Sequence, residues 1–287
     1  MTGQQANITL VSRLLREQRL PHFIIVHGAQ YSGKHMLVAE LVELIGKTAS
    51  EVGRGIDEIR EMINDIYSSQ HDRVYTLFHL EKCNYKAIES ILKICEEPPA
   101  YSYLIVTVDN LDFLKATIKN RAFILNMLNY TYSEMQEYIK ASGHSYELTE
   151  FGYNLIKTPS LFKYFVVDKN IDKYKDFFKR FDKIMDITPT NALRAVEYFN
   201  LKDGENDKID FWLYLDWLAV LLAKYSIDNE VDVVSLSVII LRFKENQRVM
   251  GINMPALVNT FIILFRKHAR KHGLAFEGVF SKYLEEL

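Results

Sequence analysis

Two cysteines, six prolines and twelve glycines in 287 residues leave little material for several architectures. Few Gly and Pro argue against a turn-rich sandwich or a barrel of short strands. Cys83 and Cys95 form no C-x-x-C pair, and no histidines stand in ligand spacing around them, which excludes a thiolate zinc module. Sparse cysteine fits a reducing, cytoplasmic compartment. No apolar run is long enough to span a bilayer: Phe261-Ile262-Ile263-Leu264-Phe265 is among the longest. The first residues, Met1-Thr2-Gly3-Gln4-Gln5, lack the basic and apolar regions of a secretory leader. An excess of one charge is also missing. The formal net charge of −2 argues against a strongly basic nucleic-acid binder. Apolar residue types, in contrast, make up 48 % of the chain, enough for sizeable cores.

The first part of the chain alternates short apolar runs with helical periodicity. Phe23-Ile24-Ile25-Val26 reads as a strand buried on both faces. Lys34 to Ile45 repeats apolar residues at helical spacing, with Gly46 as its stop. Ile56, Ile59, Ile63 and Ile66 mark a second helix. Further strands are expected over Val74 to Phe78, Leu104 to Val108 and Ala122 to Leu125, with a helix over Tyr85 to Glu96 stopped by Pro98-Pro99. Strands alternating with helices imply a parallel sheet covered by helices. After Leu125 the strand signals cease. Ser133-Glu134-Met135-Gln136 has capping-box spacing. Long helices are expected over Phe211 to Tyr225, Val231 to Gln247 and Pro255 to Lys271, with a short terminal one. The polar stretch Asn200 to Asp207 is the best linker. The expected fold class is α/β plus all-α, divided into an α/β domain at 1–127, a small helical domain at 128–200 and a helical bundle at 205–287.

Chemistry concentrates in three stretches. Gly28-Ala29-Gln30-Tyr31-Ser32-Gly33-Lys34-His35 follows a strand and opens a helix, the context of a phosphate loop. Gly28, Gly33 and Lys34 are therefore candidate nucleotide-binding residues. The plainer alternative is a strand-to-helix turn with a surface lysine. The position after Lys34 normally offers a hydroxyl to Mg²⁺, yet here it is His35, and imidazole suits that hard cation poorly. Tyr31 stands where such loops often carry glycine, which permits backbone angles that tyrosine resists. The strand Val74-Tyr75-Thr76-Leu77 runs into Phe78-His79, where a nucleotide hydrolase places its metal-holding acid. Glu81, two residues on, reads as a helix-start or solvent-facing acid. Thr117-Ile118-Lys119-Asn120-Arg121 keeps an arginine. No metal site is expected. ATP is the one candidate cofactor, at a degraded loop.

Gly55-Ile56-Asp57-Glu58-Ile59-Arg60-Glu61-Met62-Ile63 resembles the G-[IV]-D-x-I-R-x-[LI] segment of clamp-loader subunits of the AAA+ superfamily. Asn84 to Pro99, with Ser90-Ile91-Leu92-Lys93 and Glu96-Glu97-Pro98-Pro99, resembles their N-A-L-L-K-x-x-E-E-P-P helix. Thr107 falls at the family's sensor-1 position. Thr117 to Ala122 lines up with the T-I-x-S-R-C element, with Asn120 and Ala122 in place of its Ser and Cys and Arg121 matching. Asn246, Asn253 and the apolar run to Leu264 resemble the collar helices. The losses resemble the bacterial delta-prime-like branch, described as a stator without its own ATPase.

The resemblance implies an AAA+ domain, a helical lid and a collar. It also implies a non-hydrolysing subunit of the DNA polymerase III clamp loader. Its partners would be other AAA+ subunits and, through the complex, a sliding clamp and primed DNA, with no membrane. Arg121 would act in trans on a neighbour's ATP, where a fixed-charge fork can contact phosphate oxygens in two places. Two other classes stay open at this point: an active ATPase using Lys34 and a displaced acid such as Asp109, and an AAA+-derived scaffold outside replication. The chain departs from the family in lacking its four-cysteine zinc module and in placing Leu161, with Lys163 nearby, at the sensor-2 position. A sheet strand usual between Gly46 and Gly55 is also expected to be missing.

Overall fold

The computed structural model describes residues 3–68, 72–97, 99, 101–186, 195–200, 209–248, 252–274, 278–285 and 287. The proposed linker falls almost wholly in 201–208, outside the described residues. The chain divides into two compact units, Met1–His144 with Lys157–Leu161, and Ser145–Ile156 with Phe162–Leu287.

The first unit is built on a five-stranded sheet. Its strands are β1 (Phe23–His27), β2 (Thr48–Glu51), β3 (Arg73–Leu77), β4 (Tyr103–Val108) and β5 (Phe123–Asn126), in spatial order β2-β3-β4-β1-β5. Every pairing is parallel, with Ile25 opposite Val106 and Ile124, and Thr76 opposite Ile105. Helices α2 (Lys34–Ile45), α3 (Ile56–Ser68), α4 (Tyr85–Glu96) and α5 (Ala116–Lys119) lie in the crossovers, with α1 (Gln5–Arg16) before the first strand and α6 (Tyr132–Ala141) after the last.

Alternation along each strand sends neighbouring side chains to opposite faces of the sheet. Ile24 and Val26 pack with Val11 of α1 and Leu37, Val38 and Leu41 of α2. Ile25, Leu104, Val106 and Leu77 pack on the other face with Ile59 and Met62 of α3 and Ile88 and Ile91 of α4. Both faces are covered, which is why β1 and β4 read as unbroken apolar runs. The result is a three-layer α/β/α unit with the α/β fold expected from the sequence.

Local signals explain most boundaries. The Asn84 side chain accepts from Ala87 N–H at 2.8 Å and starts α4. Gly46 ends α2 in a left-handed conformation (φ 70°). Two expectations need correction. The strand thought missing is present as β2, an edge strand of sequence Thr-Ala-Ser-Glu. Its side chains are mostly exposed, so it carries no apolar run to be read. The capping box that opens α6 also starts earlier than Ser133. Thr131 is the cap residue, with its side chain and Glu134 bonded reciprocally.

The second unit is helical. Its long helix, Phe211–Asn229, starts at Asp210, whose carboxylate accepts from Trp212 and Leu213 N–H. Phe211, Leu213, Tyr214, Leu215, Trp217 and Leu218 are all buried, so more than one side of the helix is covered. Aromatic rings supply much of that cover. Phe165 and Tyr174 meet Trp217, and Phe177, Phe178 and Phe199 meet Tyr214. Helices Val234–Glu245, Met254–Lys271 and Val279–Leu284 follow. Among the described residues no helix is long and apolar enough to cross a membrane.

Candidate functional site

In an open parallel sheet, the loops after the strands' carboxyl ends converge, and chemistry collects there. The sequence's candidate residues lie at that edge. Gly28 and the loop to Gly33 follow β1, Phe78-His79-Leu80-Glu81 follow β3, and Asp109 follows β4.

The loop after β1 leads into α2 through two left-handed residues. Gly33 is left-handed (φ 93°), and so is Tyr31 (φ 60°). Tyrosine therefore takes the backbone angle that the sequence reading expected it to resist, at a cost of order 1–3 kcal/mol. The Tyr31 carbonyl is tied down by the Thr158 hydroxyl, which donates to it at 2.6 Å. Gly28 is required by crowding. A Cβ there would stand 2.7 Å from Met127 Cβ and 2.8 Å from Ser32 Oγ.

Lys34 does not extend from the loop. It is 4 % exposed. Its ammonium donates to the carbonyls of Gly28 at 2.8 Å and Ala29 at 2.7 Å, and lies 2.8 Å from Asp109 Oδ1. An ammonium has three N–H bonds, and three oxygens surround this one. His35, at the usual hydroxyl position, stacks on Phe78 with ring centroids 4.0 Å apart. Burial, then the neighbouring His79 and Lys34, push its pKa below the ordinary histidine value.

His79 closes β3 in a left-handed conformation (φ 59°). Its N–H donates to Thr107 Oγ1 at 2.8 Å, so the buried Thr107 holds the strand-end turn. His79 Nδ1 lies 3.4 Å from Glu81 Oε1 and 3.7 Å from Asp109 Oδ1. Asp109, then Glu81, hold the imidazolium, and its pKa rises to about 9. Burial works against ionising Asp109, but His79 and Lys34 outweigh it and hold its pKa at about 2.

Glu81 corrects the sequence reading. It does stand in the first turn of a short helix, Leu80–Lys82, but it is not solvent-facing: it is 7 % exposed, and its Oε2 accepts from the Asp109 N–H at 3.3 Å. The sequence treated His79, Glu81 and Asp109 separately, whereas the fold brings them into one group. The available signal was positional: each follows the carboxyl end of a strand in one parallel sheet.

Arg121 lies apart from this group, between α5 and β5. Its Nη1 donates to the Thr117 carbonyl at 3.1 Å, and its Nη2 is 3.9 Å from Glu96 Oε1 at the end of α4. Its side chain is 43 % exposed. Burying cover is therefore light at this arginine, in contrast to Lys34.

Residues 44–131, which run from the end of α2 to the start of α6, match the family model described as DNA polymerase III, delta subunit. Over that stretch the chain is similar to DNA polymerase III delta subunits. The matched stretch contains Gly55 to Ile63, the α4 segment and Arg121, the stretches that carried the resemblance. No curated protein matches this chain in sequence. Among solved structures it is similar to a DNA polymerase III gamma-subunit-related protein from Thermotoga maritima, at 16 % identity and TM-score 0.46, covering 91 % of this chain and 98 % of that one. It is also similar to the Thermotoga maritima RuvB Holliday junction branch migration motor, at 15 % identity and TM-score 0.48, covering 99 % of this chain and 88 % of that one.

Proposed function

We propose that this chain is a clamp-loader subunit of the delta-prime type: a non-hydrolysing member of a hetero-oligomeric clamp loader that presents Arg121 to a neighbouring subunit's ATP. In this reading residues 1–127 are the AAA+ domain, 128–200 the lid and 205–287 the collar. The observation that carries it is the contrast between two cations. Lys34 is buried and its three donors face protein oxygens, while Arg121 is substantially exposed and, among the described residues, meets the Thr117 carbonyl and a carboxylate 3.9 Å away.

Mg²⁺–ATP fits the first site badly. The ammonium that would meet phosphate is engaged, the hydroxyl position is an imidazole stacked on Phe78, and β3 ends in Phe78-His79 without a carboxylate. A carboxylate does stand nearby in Asp109, but Lys34 is already paired with it. That pairing weighs against an active ATPase built from these two residues. Guanidinium, by contrast, keeps its charge at every working pH and matches phosphate oxygens in pairs.

Reconstitution tests this. The purified chain alone is expected to show no ATP turnover. Mixed with its cognate ATPase subunits, it is expected to co-assemble and raise their turnover in the presence of sliding clamp and primed DNA. Turnover by the chain alone, or failure to assemble, contradicts the reading.

A further inference from the structure

Three buried ligand atoms at the strand edge point at one another without forming hydrogen bonds. His79 Nδ1, Glu81 Oε1 and Asp109 Oδ1 are each shielded from solvent; the first two have no hydrogen-bond partner of acceptable geometry, and Asp109 Oδ1 has the Lys34 ammonium at 2.8 Å on one side. All three residues offer donor atoms within 4.8 Å of one another. Glu81 is more than nine-tenths buried, yet this oxygen faces the group unpaired. Leaving a buried carboxylate oxygen unmatched is costly, so a cation at the centre is the economical solution.

The spacings fit a metal better than direct contact. At 3.4 and 3.7 Å, the imidazole nitrogen is too far from either oxygen for a good hydrogen bond. Two ligands each ~2.0–2.1 Å from a tetrahedral zinc ion lie roughly 3.3–3.4 Å apart. The observed separations are close to that edge length. The remaining contacts hold the ligands in place. Thr107 accepts from the His79 N–H, and the Asp109 N–H donates to the second Glu81 oxygen. Such outer contacts orient metal ligands.

We propose that His79, Glu81 and Asp109 form a binding site for a borderline transition-metal cation, with Zn²⁺ the best match. One imidazole nitrogen with two carboxylate oxygens is a zinc-type donor set, whereas Mg²⁺ prefers oxygen alone. The site is distinct in ligands from the magnesium-nucleotide chemistry of an ATPase and does not depend on the role of Arg121. Lys34 bears directly on it. Its ammonium shares Asp109 Oδ1 with the metal and opposes it by like charge, so it weakens the affinity.

The test uses the full chain, stripped with chelator and titrated calorimetrically with Zn²⁺ and separately with Mg²⁺. One zinc equivalent is expected, with no comparable response to Mg²⁺. His79→Ala and the near-isosteric Glu81→Gln should each weaken that zinc event more than about tenfold. Lys34→Met should tighten it. Circular dichroism identifies any variant that fails to fold, and Glu81→Gln decides if His79→Ala does not fold. The proposal is overturned if the wild type binds no more zinc than the folded variants, if Mg²⁺ binds as well as Zn²⁺, or if Lys34→Met loosens zinc.

Discussion

Lys34 Nζ lies 2.8 Å from Asp109 Oδ1, so the lysine that opens α2 is paired with the acid that follows β4. Two loops of the sheet edge are thereby closed on each other. The same lysine also donates to the Gly28 and Ala29 carbonyls, which folds the loop around its own cation. In a working phosphate loop that lysine contributes mainly to ligand binding. Here it contributes to folding.

Lys34→Met is therefore expected to destabilise the chain by about 3 kcal/mol, because it strands a partly buried carboxylate and two loop carbonyls. Denaturant unfolding followed by circular dichroism measures this. A change within about 0.5 kcal/mol, the usual effect of a surface substitution, would show that the lysine is not part of the folded framework.

Gly28→Ala is expected to cost about 1–3 kcal/mol by overpacking. The added methyl would meet Met127 Cβ and Ser32 Oγ well inside contact distance, and Met127 Cβ cannot swing aside as a side-chain end can. Thermal unfolding under identical conditions checks it. A melting temperature equal to wild type would mean that the loop relaxes freely.

The two thiols are expected to be inert in the folded chain. Burial pushes Cys83 up to about 11 and Cys95 up to about 12, because it disfavours the thiolate. At pH 8 Cys83 should alkylate about 100-fold, and Cys95 about 1,000-fold, more slowly than in the urea-unfolded chain. Rapid modification of either cysteine by iodoacetamide in the native state would contradict that.

Much of this was legible in the sequence because burial on both faces leaves a strong trace. Phe23-Ile24-Ile25-Val26 and Leu104 to Val108 could hardly be anything but central strands once helices flank them. Strand β2 was not legible. At the sheet edge Thr48, Ala49, Ser50 and Glu51 need no apolar side chains, so the register that Ser50 makes with Tyr75 leaves no pattern to read. Glu81 failed for the opposite reason. A glutamate is ordinarily solvent-exposed, and only the convergence of two strand ends, distant in sequence, shows that it is enclosed with His79 and Asp109. Tyr31 shows a local preference overridden. Its left-handed backbone persists because Gly33, the helix start and the Thr158 hydroxyl hold the loop around it.

The most direct measurement of the account is ATP turnover by the reconstituted clamp loader carrying Arg121→Ala. The account predicts a large loss with assembly intact, toward the ~10³–10⁵-fold range of arginines supplied in trans, and poor rescue by Arg121→Lys because an ammonium lacks the fork. Unchanged turnover in a fully assembled complex carrying Arg121→Ala would contradict it.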